Sequence, residues 1–249
     1  MHPTVASAAG QPARAWLLVR DDVVVSAHAA DAALPVGSLV KLLSAVVWMQ
    51  HPERLEAIVT ISRHAARATG ARLGLRAGER YLGKDLLTAM LVRSANDACL
   101  ALAEQAAGTE AAFVAAVTRA AALLELHDSR FANPCGLDAP GQHSSARDML
   151  AVARLAMSYP AIRERVGLER ARFGPRGRTA TRELRSTNLL LGRFRGADGV
   201  KTGFTAQAGG CLIAHAVRDG HEAWLVMLHA PERWWTAHRL LDSAFRHGG

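Results

Sequence analysis

Apolar positions along the chain follow a strand pattern, then a helix pattern, then strands again, then one last helix. Ala15-Trp16-Leu17-Leu18-Val19-Arg20 and Val23-Val24-Val25-Ser26-Ala27 are β-prone runs separated by Asp21-Asp22, which predicts a hairpin. After Pro35-Val36-Gly37, the run from Ser38 to Met49 is densely apolar; its length predicts a largely buried helix with Ser38 at the N-terminus. The Ala-rich middle predicts helices over 85–91, 95–107, 110–126 and 145–157, the last opened by Ser145-Ala146-Arg147-Asp148, an approximate capping box with Asp in place of Glu. Phe131 to Asp138 is a loop dense in turn formers, and 163–185 has no clean period, so an irregular or extended excursion is expected there. Gly199 to Phe204 is a short glycine-bounded strand. Gly210–Val217 and Glu222–Leu228 flank the Asp219-Gly220 turn as a second hairpin, and Pro231–Phe245 is a closing amphipathic helix.

This order predicts a mixed α/β (α+β) fold. An antiparallel sheet is built from both chain ends, with flanking helices and an inserted helical lobe. One domain over 1–249 is expected, with a sheet lobe from about 15–50 and 190–249, a helical lobe of about 51–189, and no C-terminal second domain. No run of 18 apolar residues is present, so no transmembrane segment is expected. The first ten residues lack the basic and apolar regions of a signal peptide.

Composition alters this picture at two points. The formal charge is +8, but the arginines are scattered singly and no aromatic-basic block occurs, so nucleic acid is not an expected partner. Lys and Arg together number 30, and only Lys41, Lys84 and Lys201 are lysine, leaving 27 arginines. Arginine cannot lose its proton in a protein, whereas lysine can. The rare lysines are therefore where chemistry is to be sought. Cys99, Cys135 and Cys211 have no metal-ligand spacing; Cys99 and Cys211 read as small core residues, and disulfide-dependent folding is not expected.

Ser38 and Lys41 stand three apart at a helix start, hence on one face. A serine hydroxyl needs a base to become a nucleophile. An amine that is desolvated near the positive end of a helix dipole favours its neutral form. A serine cap followed by a surface lysine would use the same residues, but Val40, Leu42 and Leu43 make a poor surface. Ser94-Ala95-Asn96 opens another predicted helix. Ser94 alone reads as an N-cap; within a site its hydroxyl can relay a proton, and Asn96 offers an amide to a substrate carbonyl. Lys201-Thr202-Gly203 lies on a strand, where a cation fixes a carboxylate, Thr202 adds a hydroxyl and Gly203 admits a substrate backbone.

Together these segments run S-x-x-K, S-x-N, K-T-G, a set used by β-lactamases and penicillin-binding proteins. From about Ala15 to Phe245 the chain resembles the low-molecular-mass penicillin-binding proteins, the serine D-alanyl-D-alanine carboxypeptidases. Leu91–Ala98, Asn133–Asp138, Ser144–Met149 and Gly196–Thr205 carry that likeness in family order. The resemblance implies a β-lactamase/DD-peptidase-like fold, with Ser38 as nucleophile, Lys41 as its base and Ser94 in the proton network. It implies that Asn96, Lys201, Thr202 and Gly203 bind substrate, with the backbone N–H of Phe204 joining that of Ser38 in an oxyanion hole. Peptidoglycan stem peptides are the implied substrate, β-lactams the implied inhibitors, and no metal or organic cofactor is implied. An exported protein of the periplasm or cell envelope follows from that substrate. Val40 departs from the usual Thr, and Cys135 occupies a position that is often polar.

Other activities compete with the carboxypeptidase reading. A D,D-endopeptidase or a transpeptidase would share every motif. A class A β-lactamase would add an E-x-x-L-N segment, absent between Leu126 and Thr187. A penicillin sensor would acylate and stop.

Overall fold

The computed structural model describes residues 12–177 and 181–246; the leader reading of the first ten residues lies outside them. At its centre is a five-stranded sheet in the order β2-β1-β9-β8-β7. β1 (Ala15–Arg20), β2 (Val23–His28), β7 (Ala197–Thr205), β8 (Gly209–Arg218) and β9 (His221–Leu228) pair antiparallel throughout. The first strand thus pairs with the last, Leu17 opposite Val226, as expected for a sheet made from both chain ends. The central strands are apolar at nearly every position because both faces are covered. Leu17, Val19, Ile213, Val226 and Leu228 pack into the core shared with the helical middle. Leu18, Leu212, Ala214, Leu225 and Met227 pack with Ala237 and Leu241 of α7 (Arg233–Arg246).

A 3₁₀ turn over Gly37–Val40 runs into α1 (Lys41–Met49), in which every residue is buried. Each large apolar side chain so buried is worth about 1.5–3 kcal/mol relative to exposure. α2 (Gly83–Val92), α3 (Asn96–Ala107), α4 (Glu110–Leu123) and α5 (Ala146–Ser158) form the helical middle, and α1 packs against all four. Ser145 caps α5 by accepting from Asp148 N at 3.1 Å. The Asp148 carboxylate does not complete the box; it takes Asp128 N at 3.0 Å and Ser129 Oγ at 2.6 Å, tying the preceding loop to the helix. α4 stops short of residue 126, with Glu125 in the left-handed region at φ 52°.

The sequence pattern did not reveal α6 (Pro160–Val166) or the strands β3 (Ile58–Thr60) and β4 (Arg80–Leu82). Three residues are too few to show a period. The excursion expected over 163–185 as irregular or extended holds the end of α6 and two strands, β5 (Arg170–Phe173) and β6 (Arg182–Arg185), that pair antiparallel. The expectation about cysteines needs correction: Cys99 of α3 and Cys135 are joined in a disulfide, with Cα atoms 6.0 Å apart, and only Cys211 is free among the described cysteines. The bridged residues are 36 apart in sequence, one in an apolar helix and one in a loop, so their meeting depends on tertiary packing. No single described helix is long and apolar enough to cross a membrane.

Candidate active site

Ser38 lies within the 3₁₀ turn rather than at the head of the α-helix proper. In that geometry residues three apart eclipse one another, which stacks Lys41 directly on Ser38 and puts Lys41 Nζ 2.8 Å from Ser38 Oγ. Lys41 Nζ also donates to the Cys135 carbonyl at 2.5 Å. Ser38 is half-buried and Lys41 fully buried. Burial pushes the Lys41 amine well below the usual lysine range, and the Lys201 charge pushes it the same way.

Glycines let three segments close around Ser38. A Cβ on Gly203 of β7 would come within 2.6 Å of Val36 O and 3.3 Å of Ser38 N. Gly136, at φ 78°, would place one 2.0 Å from Gly37 O. No other residue fits either position without moving the turn that holds Ser38. β7 pairs only with β8 and forms one edge of the sheet. It therefore offers its free backbone edge to an extended peptide.

Ser94 is not the cap of α3; Ala95 is, without a side-chain hydrogen bond. Ser94 adopts φ 60°, strained for a non-glycine residue, and its Oγ accepts from Lys201 Nζ at 2.9 Å. Lys201 also donates to Thr202 O at 2.9 Å. Burial, aided by the nearby Arg233 guanidinium, brings Lys201 down to about 7. Asn96 donates through Nδ2 to Thr69 O at 2.6 Å, while its Oδ1 is buried with no partner. Asp97 anchors the start of α3, its carboxylate accepting from Leu73 N at 2.9 Å, Leu75 N at 3.0 Å and Ala98 N at 3.0 Å. The structure thus couples Ser38 with Lys41 and Ser94 with Lys201. It puts Gly203 against the Ser38 turn, leaves the Phe204 side chain exposed, and gives Asn96 an acceptor free for a donor.

Three contributors went unnoticed in the sequence. Thr187 Oγ1 lies 2.7 Å from Thr202 Oγ1. Asn133 Oδ1 collects the N–H groups of Cys135, Gly136 and Leu137 at 3.2, 2.8 and 3.0 Å, shaping the loop that faces Lys41. Arg233, first residue of α7, donates to Gly203 O at 2.8 Å and Cys211 O at 3.0 Å, with Nε buried and unpaired. The scarcity that marks the lysines conceals Arg233 among 27 arginines.

The buried Lys201 amine has a consequence for stability. An unfolded lysine titrates near about 10.4, so between about 7 and 10 the unfolded chain holds a proton that the folded one lacks. Folded stability contributed by this site then rises with pH. The unfolding free energy of the wild type minus that of Lys201→Met should climb by about 1.4 kcal/mol per pH unit through that window and stay level below it. Denaturant titrations at a series of pH values check this; a difference independent of pH would mean that Lys201 titrates as an ordinary lysine.

A serine paired with a buried lysine beneath an antiparallel sheet, with a second lysine on the sheet's edge strand, is set in the β-lactamase-like fold of the DD-peptidase structures. Within it, the chain belongs to the D-alanyl-D-alanine carboxypeptidase family Peptidase_S11, whose profile matches residues 3–232. It is 33% identical over 220 residues to the D-alanyl-D-alanine carboxypeptidase DacF of Bacillus subtilis, covering 85% of this chain and 56% of that protein. It is 28% identical over 244 residues to DacB2 of Mycobacterium tuberculosis, covering 94% and 82%. The chain therefore spans little more than half of the Bacillus relative. Among solved structures it resembles the Streptomyces K15 DD-transpeptidase, with a TM-score of 0.87 at 25% identity, covering 94% of this chain and 97% of that one.

Proposed function

We propose that the chain is a penicillin-sensitive serine D-alanyl-D-alanine carboxypeptidase, acting on peptidoglycan stem peptides in the cell envelope. The observation that carries this reading is the 2.8 Å contact between Ser38 Oγ and a fully buried Lys41 Nζ, a nucleophile beside an amine held neutral by desolvation. Ser38 Oγ attacks the carbonyl carbon between the two D-Ala residues and gives its proton to Lys41. The N–H groups of Ser38 and Phe204 stabilise the oxyanion. Collapse breaks the C–N bond; the proton passes from Lys41 by way of the Ser94 hydroxyl, itself held by Lys201, to the departing D-Ala amine. Water then hydrolyses the ester and frees Ser38. A β-lactam enters the same sequence, but its leaving amine stays tethered after ring opening.

Lys201 and Thr202 are the proposed anchor for the substrate's terminal carboxylate, with Arg233 adding positive charge behind Gly203. A bound carboxylate would draw the Lys201 amine back to its charged form. The free Oδ1 of Asn96 suits a peptide N–H of the substrate. Amidating the C-terminus of a D-Ala-D-Ala peptide should therefore lower kcat/KM about 10- to 100-fold, because a charge-assisted contact is worth about 1.5–3 kcal/mol. Equal rates on acid and amide would remove the carboxylate anchor and favour internal, endopeptidase cleavage. The near end-to-end likeness to a solved transpeptidase favours aminolysis of the same acyl-enzyme as the second reading. The ratio of released acid to peptide transferred onto an added amine separates the two.

A further inference from the structure

Lys41 needs more than burial to act as a base; its lone pair must point at Ser38. A neutral amine has two N–H bonds and one lone pair, so a single fixed acceptor goes far toward aiming the pair. Here that acceptor is the Cys135 carbonyl, 2.5 Å from Lys41 Nζ. The Cys135 side chain is bonded to Cys99, one turn after Asn96 on α3. Both cysteines are buried. The neighbouring Pro134 carbonyl accepts from Ser44 Oγ of α1 at 2.7 Å. The loop is thus tied to the nucleophile's helix by hydrogen bonds and to the Asn96 helix by a covalent bond.

We propose that the Cys99–Cys135 disulfide is a positioning element for the base, holding the Cys135 carbonyl where it turns the Lys41 lone pair onto Ser38, so that full acylation competence requires the oxidised form. This rests on the reading of Lys41 as base. Closure is a two-electron exchange: the two thiols lose their protons and two electrons, and a small-molecule disulfide such as oxidised glutathione is reduced to two thiols. Cys211 stays outside the exchange. It is buried in the sheet, and burial raises its thiol to about 11, which keeps it protonated and unreactive. A bond of this kind persists in oxidising compartments, so the chain would reach full activity outside the reducing cytoplasm.

The test begins with protein equilibrated in oxidised glutathione, denatured, alkylated and weighed. One alkylated thiol is expected, rising to three after phosphine reduction. Acylation by a fluorescent penicillin is then followed in the oxidised, reduced, Cys99→Ala and Cys135→Ala proteins. Since misplacing a catalytic group by an ångström can cost as much as 10²-fold and the Asn133 turn still supports the loop, the last three should acylate about tenfold more slowly at saturation. Their half-saturating concentration should be unchanged, and raising the pH should not restore the rate. Reoxidation should rescue the reduced wild type and neither variant. Three alkylated thiols in the oxidised protein would overturn the proposal, as would saturating rates that match the oxidised wild type while only the melting temperature falls. Neither result touches the role of Lys41, which the Lys41→Arg enzyme tests separately.

Discussion

Ser38→Ala should fold normally and take no covalent label from a fluorescent penicillin. In the wild type, mass spectrometry should find one adduct, on Ser38. The other serines near the site are already committed. Ser44 Oγ donates to Pro134 O at 2.7 Å, and Ser94 Oγ accepts from Lys201 at 2.9 Å. Among the described serines only Ser38 has its hydroxyl against Lys41, an amine pushed well below the usual lysine range, and sits in the turn against which Gly203 and Phe204 close. Removing a nucleophile removes the acyl-enzyme altogether, so the expected effect is complete loss rather than a graded one. Ser38 neither caps a helix nor fills the core, so the melting temperature should move by no more than about 0.5 kcal/mol would shift it. Label persisting on another serine would displace Ser38 as the nucleophile.

How much of this was legible in the chain depends on the range of the interaction concerned. The Ser38–Lys41 pair is local: two residues three apart within one turn meet whatever the rest of the fold does. Strand and helix order was legible for a similar reason, because both core faces of β8 and β9 and the full burial of α1 write long apolar runs. Ser94 illustrates the opposite case. Its local sequence looks like a cap, and the left-handed backbone that turns it toward Lys201, 107 residues away, is imposed by packing. Arg233 and Thr187 belong to the site only because α7 and the segment after β6 come up beside β7. Cys135 misled because a loop cysteine shows no sign of its partner until α3 is laid against it. Gly136 looked like punctuation and Gly203 like room for a substrate backbone; only the contacts at Val36, Gly37 and Ser38 reveal that both admit the chain's own backbone.

The chain's preference for arginine turns one substitution into a test of mechanism. Were Lys41 needed only as a positive charge, Arg should replace it, as arginine supplies the cation at nearly every other basic position. A base for Ser38 must instead be neutral before it accepts the proton. Burial and the Lys201 charge both favour that state for Lys41, whereas a guanidinium holds its proton above about pH 12. Lys41→Arg should therefore acylate at least about 10³-fold more slowly, within the roughly 10²–10⁴-fold typical of a positioned base. Because the larger cation must be buried, thermal melting of the variant should accompany the assay. The wild type gives a check that needs no substitution: its acylation rate should rise with pH through an apparent pKa below that of free lysine. With a carboxylate substrate, kcat/KM should fall again as the Lys201 ammonium is lost above about 7. Those apparent values belong to the coupled Lys41, Ser94 and Lys201 network and not to one group. A folded Lys41→Arg enzyme acylating within about threefold of wild type would end the neutral-amine mechanism, since the whole range expected of a positioned base lies beyond that figure.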